Sequence, residues 1–156
     1  MVESDLHPRV DFDWRNSPLF RHCEDSDWEL FLRFTEYCKK SARCELWVEG
    51  DSDALLLCIL SGSLESIKKT PGWGKPIIMA EFLPGATVGE LVFDEPGVHS
   101  TTLRVVEEAQ LLICRPEGAA RLFKESPATA GKLWRGAVSL QQHRLRQAND
   151  RLATLF

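Results

Sequence analysis

The residues best suited to chemistry are the run Gly89-Glu90-Leu91, which lies at a turn and shortly precedes His99 and Ser100. Glycine lets the backbone approach a ligand closely, and successive free N–H groups at the start of a short helical turn can bind an anion. Glu90 would repel that anion unless it accepted hydrogen bonds from hydroxyl groups of the same ligand. The pair therefore suggests a ligand that carries phosphate and sugar together. An ordinary turn is the alternative.

Other motifs do not indicate a catalytic or metal centre. The four histidines are scattered along the chain, without the clustered spacing that a cupin-type metal site needs. The sequence contains neither a P-loop nor a GxSxG motif. We therefore expect no catalytic residues, no metal and no resident cofactor, in a protein that is not an enzyme.

Composition is typical of a cytoplasmic globular protein. The 156 residues are 44% apolar and 27% charged, with a formal net charge of −4, so we expect no direct contact with DNA, which usually needs a basic excess. The five cysteines include no CxxC pair, which indicates reduced thiols in a cytoplasm. The longest apolar run, residues 54–60, is too short to span a membrane, and the polar start of the chain does not resemble a signal peptide.

Short strands between helices must position the candidate residues. Runs of strand-forming residues separated by Gly, Pro, Asp and Ser are typical of an antiparallel sandwich or barrel. These runs cover residues 44–48, 54–60, 64–69, 76–82, 101–106 and 109–115. The predicted fold class is mainly β with α: an antiparallel β-roll or jelly-roll barrel flanked by an N-terminal helix and C-terminal helices.

Helical patterns lie on both sides of the strands. The first helix is predicted over residues 26–39, capped by Ser26 or Asp25, with Cys38 on its apolar face. Helices are expected to begin again at Pro116 and near Pro127.

We divide the chain into three segments on these patterns. Residues 1–16 form an N-terminal arm, residues 17–127 the barrel domain with flanking helices, and residues 128–156 a long C-terminal helix. Phe12 and Trp14 of the arm either dock on the domain or stay without fixed structure.

The C-terminal helix carries an apolar stripe that is longer than one small barrel can cover. Its residues recur at alternating spacings of four and three, which is typical of a two-helix seam. They are Trp134, Val138, Gln141, Leu145, Ala148, Leu152 and Leu155. Packing on the chain's own barrel is the alternative for Trp134 and Val138. We expect Leu145, Ala148 and Leu152 to face a partner helix, in a homodimer or in another protein.

Three stretches in order carry a resemblance to a known family. They read LLLCILSGSLESIKK, EFLPGATVGELVF and TTLRVVEEAQLLICRPEGAARLF. Over about residues 18–146, the sequence resembles the cyclic-nucleotide-binding domain family, of the catabolite activator protein and protein kinase A regulatory subunit type. The resemblance implies a β-roll that senses a cyclic nucleotide.

The resemblance also implies roles for individual residues. It places the cyclic phosphate on the short helix at Gly89, Glu90 and Leu91, and the ribose 2′-hydroxyl on Glu90. In the family an arginine about ten residues after this glycine pairs with the phosphate, and this sequence has His99 there. No arginine lies between Glu90 and Ser100, so the resemblance is that of a divergent member, one that lacks the phosphate-binding arginine.

Histidine at this position lacks the permanent charge and planar fork of arginine. Losing two charge-assisted hydrogen bonds, at about 1.5 to 3 kcal/mol each, weakens binding by about 10² to 10⁴. Ser100 offers a hydroxyl or N–H group and Thr101 lies beside it, but neither supplies charge. Arg104 is expected to point outward by strand alternation. His99 is either a turn residue without a ligand or a weak phosphate contact.

The resemblance further implies that the C-terminal helix mediates dimerisation and closes over the nucleotide base, which brings Gln141 or Gln142 near the pocket. We therefore expect a cytoplasmic regulatory module with weak or altered nucleotide binding. The alternative is a ligand-free interaction or dimerisation scaffold of the same fold.

Overall fold

One block of strands lies between an N-terminal helix and two C-terminal helices. The computed structural model describes residues 11–72, 74–93 and 97–156. The helices are α1 (Asp25–Leu32), α2 (Pro116–Glu125) and α3 (Pro127–Ala153). The strands are β1 (Glu36–Lys40), β2 (Glu45–Trp47), β3 (Leu56–Lys69), β4 (Pro76–Phe82), β5 (Thr87–Val88) and β6 (Thr102–Cys114). Short 3-10 helices cover Trp14–Asn16, Pro18–Phe20 and Glu90–Phe93.

All six strands belong to one antiparallel sheet. Its order is β1-β6-β3-β4, while β2 also pairs with β6 and β5 also pairs with β3. The long strands β3 and β6 form its centre and pair from Leu56 opposite Cys114 to Ile67 opposite Thr102. Within the described residues the sheet is an open roll and does not close into a barrel. The predicted fold class, mainly β with α, is confirmed.

β3 is apolar without alternation in its first half because both of its faces are buried there. Leu57 and Ile59 belong to the core inside the roll. Leu56 and Cys58 point to the other face, where they join a second core under the helices. Alternate residues of one strand thus serve two cores, which accounts for the continuous apolar run at residues 54–60.

The two long strands correct our strand boundaries. β3 continues through Gly62, where we expected a turn between two strands. Gly62 has φ +80°, and a Cβ there would lie 2.2 Å from the carbonyl oxygen of Glu108. The register shifts on both sides of this point, so the glycine marks a bulge and not a strand end. β6 likewise unites the runs 101–106 and 109–115.

The N-terminal helix is shorter than predicted. α1 ends at Leu32, whose carbonyl accepts a hydrogen bond from Thr35 Oγ1 at 2.8 Å. The following residues form β1, in which Cys38 lies opposite Leu111 of β6, so Cys38 is a strand residue. The predicted helix was wrong beyond Leu32 because β6 offers backbone partners to this segment. The cap was also wrong, since Glu24 occupies the N-cap position.

Phe12 and Trp14 dock on the domain. Both are buried, and both stack on Trp28 of α1, with ring centroids 5.7 and 5.9 Å apart. The first ten residues of the predicted arm lie outside the described residues.

The first half of α3 is fixed to the N-terminal segment. A Cβ at Gly136 would lie 1.9 Å from the carbonyl oxygen of Leu19, so only glycine permits this close approach. Buried Asp27 accepts hydrogen bonds from Thr129 Oγ1 at 2.6 Å and from Lys132 Nζ at 2.7 Å. Burial opposes ionisation of this carboxyl. Its hydrogen bonds outweigh that effect and hold the pKa of Asp27 below the ordinary value of 3.8.

Replacing Asp27 should weaken this attachment in a pH-dependent way. A lowered carboxyl pKa stabilises the folded state above the unfolded-state value, and that contribution is lost as the pH falls through the folded-state value. We expect Asp27→Asn to lower the free energy of unfolding in urea by about 1.5 to 3 kcal/mol near neutral pH. The difference from wild type should shrink as the pH falls below 3.8, the ordinary carboxyl pKa. The control Asp25→Asn, whose partner Arg15 is exposed, should change little. An unchanged difference at acid pH would contradict this account.

Candidate functional site

A cavity of about 630 Å³ lies between the inner face of the sheet and the second half of α3. Each of the strands β2 to β6 contributes a residue to its wall, and α3 covers it from one side. The lining includes Trp47, Ser66, Phe82, Val88, Gly89, Glu90, His99, Ser100, Thr101, Leu103, Gln141, Arg144, Gln147, Ala148 and Arg151. The structure therefore brings the predicted loop residues together with α3.

Gly89 shapes the turn that carries Glu90. It has φ +87°, and a Cβ there would lie 1.8 Å from the carbonyl oxygen of Leu55. Any other residue would clash with the backbone of the neighbouring segment as well as adopt a strained conformation. The 3-10 helix Glu90–Phe93 begins directly after it, so the glycine fixes where the Glu90 side chain enters the cavity. The side chain of Leu91 lies outside the described residues.

Glu90 is a buried carboxylate, with 1% of its surface exposed. Its Oε1 atom accepts hydrogen bonds from Gln141 Nε2 and from Arg144 Nη1, both on α3. Its Oε2 atom has no hydrogen-bond partner among the described residues. This oxygen is itself buried. Most buried polar atoms in proteins have a partner, so an unpartnered oxygen on a residue that lines the cavity is a candidate acceptor for a ligand hydroxyl.

Arg144 is a cavity residue that the sequence analysis did not identify. Besides its ion pair with Glu90, it donates from Nη2 to the carbonyl of Thr87 at 2.7 Å, and its guanidinium lies 5.6 Å from the centre of the Phe82 ring. It follows Gln141 by three residues, so the two share a helix face. The polar interruption of the apolar stripe at Gln141 was the available signal.

His99 lies at the cavity wall with its ring held by its neighbours. The ring stacks on Trp47 with centroids 4.2 Å apart, and Nε2–H donates to the carbonyl of Asp53. Its backbone N–H donates to the carbonyl of Asp51 at 2.8 Å. These contacts tie the segment after residue 97 to the loop between β2 and β3.

Ser100 and Thr101 also line the cavity, and their carbonyls have partners elsewhere. The Ser100 carbonyl accepts from Lys68 Nζ at 2.9 Å, and the Thr101 carbonyl accepts from Trp47 Nε1 at 3.1 Å. Arg104 forms an ion pair with Glu65 and is not part of the lining. It therefore cannot supply the cavity with positive charge.

The charges of the cavity wall are divided between the sheet and α3. The arginines in the lining, Arg144 and Arg151, both come from α3. The carboxylates Asp53, Glu81 and Glu90 come from a loop, from β4 and from the 3-10 helix after Gly89, respectively. Arg151 donates to the carbonyl of Met79 at 2.9 Å, at the edge of the cavity. Among the described lining residues, permanent positive charge thus reaches the cavity only from the helix.

The predicted interface residues of α3 do not share one environment. Leu145 and Leu152 are 63% and 57% exposed, and Trp134 and Val138 are also exposed. Ala148, in contrast, lines the cavity. The exposed apolar stripe therefore lies beside the face that covers the cavity.

The described ranges hold neither a metal-binding cluster nor a membrane-spanning helix. No group of three or more His, Cys, Asp or Glu residues in the described ranges is arranged to hold a metal ion. None of the helices that the structure describes is long and apolar enough to cross a membrane.

The structure resembles solved structures of a catabolite activator protein, a cyclic nucleotide-binding domain and a PKA regulatory domain. The catabolite activator protein of Thermus thermophilus has a TM-score of 0.75 and 24% identity, over 88% of this chain and 62% of that one. A cyclic nucleotide-binding domain from Methylobacillus flagellatus has a TM-score of 0.78 and 21% identity, over 85% and 74% of the two chains. The regulatory domain of Toxoplasma gondii PKA, co-crystallised with cAMP, has a TM-score of 0.62 and 23% identity, over 69% and 41%.

No family model matches the chain, and no curated protein matches it in sequence. This chain spans 62% of the length of the catabolite activator protein that it matches. The structural likenesses show that the chain has the fold of cyclic-nucleotide-binding domains, which confirms the fold that the sequence resemblance implied.

Proposed function

We propose that this domain is a cytosolic regulatory module whose cavity binds a cyclic nucleotide, with weak affinity for cyclic AMP because His99 replaces the phosphate arginine. The observation that carries the proposal is the buried Glu90 carboxylate, which has an oxygen without a partner among the described residues and lines a cavity of about 630 Å³. Cavities of about 300 to 1,000 Å³ are typical of small-molecule sites. The likeness to a cyclic nucleotide-binding domain and to a regulatory domain co-crystallised with cAMP supports this choice of ligand.

The contacts of His99 support weak binding. Its ring is stacked on Trp47 and donates to the Asp53 carbonyl, so it presents no planar fork of donors to a phosphate. Backbone N–H groups near Gly89 and the hydroxyl of Ser100 are neutral donors, which bind anions less strongly than a guanidinium does. The ligand therefore gains less from this wall than it would from one that carries an arginine.

Restoring the arginine tests the proposal. We expect His99→Arg to raise the affinity for cyclic AMP at least about tenfold, the effect of one charge-assisted hydrogen bond of about 1.5 kcal/mol or more. Calorimetric titrations with cyclic AMP, cyclic GMP and cyclic dinucleotides would measure it. His143→Arg, which adds the same charge on the exposed surface of α3, is the matched control and should leave affinity unchanged. If His99→Arg binds none of these nucleotides, the proposed function is wrong.

A ligand-free dimerisation scaffold is the second candidate function. The exposed apolar stripe of α3 favours it, since Trp134, Val138, Leu145 and Leu152 recur at helical spacing and remain exposed in the described structure. The net charge of −4 favours an output through protein contact and not through direct contact with DNA. In either function, we propose that α3 acts on a second copy of the chain or on another protein.

Leu145→Glu tests the homodimer. A charge without a partner in a buried helix seam costs about 3 to 5 kcal/mol, so we expect the dissociation constant to rise at least about a hundredfold. Analytical ultracentrifugation over a micromolar concentration series would measure it. His143→Glu places the same charge on the opposite side of α3, two residues away, and should leave the dimer intact. A wild-type protein that is monomeric throughout the series would contradict the homodimer.

A further inference from the structure

We infer that Arg144 is the anion-binding residue of this cavity, and that it offers from α3 the guanidinium donors that His99 does not. The inference rests on the proposed function, because it names the residue that determines which ligands the same cavity accepts. The relevant ligands carry an anionic phosphoryl group beside a hydroxyl group.

The guanidinium of Arg144 has donors to spare. An arginine side chain offers five N–H donors. Arg144 directs one Nη1 donor to Glu90 Oε1 and one Nη2 donor to the Thr87 carbonyl. Three N–H groups remain for a phosphoryl oxygen, so Arg144 can bind an anion without leaving Glu90.

The pair also presents an acceptor beside these donors. Glu90 Oε1 accepts hydrogen bonds from α3, whereas Glu90 Oε2 has no hydrogen-bond partner among the described residues. A hydroxyl can donate to Oε2 while an anionic oxygen accepts from Arg144. An acceptor and a cationic donor side by side match a sugar phosphate better than they match either group alone.

The ion pair removes an obstacle to anion binding. A buried carboxylate such as Glu90 would repel a phosphate unless a cation neutralised it. Arg144 lies against it with 30% of its side chain exposed, between the buried interior and the cavity. The neutral pair leaves the remaining N–H groups of Arg144 as a favourable site for the anion.

The position of Arg144 on α3 links the ligand to the helix. A phosphoryl group held by Arg144 contacts the wall made by the sheet and the helix at once. Arg151 lies about two helical turns after Arg144. It donates to the Met79 carbonyl and closes the same side of the cavity. Occupation of the cavity by an anion therefore adds contacts that hold the second half of α3 on the sheet.

The test compares cyclic AMP with adenosine, which has the same base and hydroxyl groups but no phosphate. We expect Arg144→Gln to lower the affinity for cyclic AMP at least about tenfold, in both the wild-type and the His99→Arg background. The affinity for adenosine should change by less than about twofold. Arg144→Lys should recover part of the loss, since it keeps the charge without the fork. The control Arg146→Gln, an exposed arginine of α3, should bind both compounds like its parent. Ligand-observed NMR measures weak affinities, and calorimetry the stronger ones.

The outcomes separate this inference from the proposed function. Equal or tighter binding of cyclic AMP by Arg144→Gln would overturn the inference, and tighter binding would mean that Arg144 blocks the cavity. Binding by no variant, His99→Arg included, would overturn the proposed function and the inference with it. If Arg144→Gln does not fold, the double variant Glu90→Gln with Arg144→Gln removes both charges of the pair. It should show the same loss of preference for cyclic AMP over adenosine, and an unchanged preference would overturn the inference.

Discussion

The ion pair between Glu90 and Arg144 joins the two parts of the molecule that form the cavity. The position of Glu90 is set by Gly89. Only glycine fits at position 89, because a Cβ there would lie 1.8 Å from the Leu55 carbonyl oxygen. Arg144 is placed by α3, whose first half is fixed through Asp27 and Gly136. A charge buried to 1% exposure needs a partner, so the pair holds the second half of α3 against the sheet. The cavity, its charge and its cover all depend on this contact.

Much of the fold could be predicted from local patterns. Apolar runs with turn residues between them identified the antiparallel sheet, and Pro116 and Pro127 marked the starts of α2 and α3. The errors arose where pairing across the sheet overrides local preference. The segment after Leu32 continues the helical pattern but finds backbone partners on β6, and Gly62 is a bulge because of what it meets on the neighbouring strand, at Glu108.

The candidate site could be predicted only as far as it is local in sequence. Gly89, Glu90 and His99 fall within one short stretch, and the structure places them on one cavity. Arg144 lies 54 residues from Glu90, and no spacing along the chain reveals that an arginine on the last helix points at that carboxylate. Its position depends on how α3 crosses the sheet, which is set by distant contacts. An arginine absent from the expected loop therefore says little about the charge of the finished cavity.

The central claim is that the cavity lined by Glu90 and Arg144 is a ligand site. NMR spectroscopy of the isotope-labelled wild-type protein during addition of cyclic AMP tests it most directly. The account predicts that the backbone N–H signals of Gly89 and Glu90 and the side-chain N–H signals of Arg144 shift together along one saturation curve. The side-chain signals of Arg115, which pairs with Glu36 on the exposed surface, should stay in place. Shifts that leave Gly89, Glu90 and Arg144 unchanged at saturating nucleotide would contradict the account.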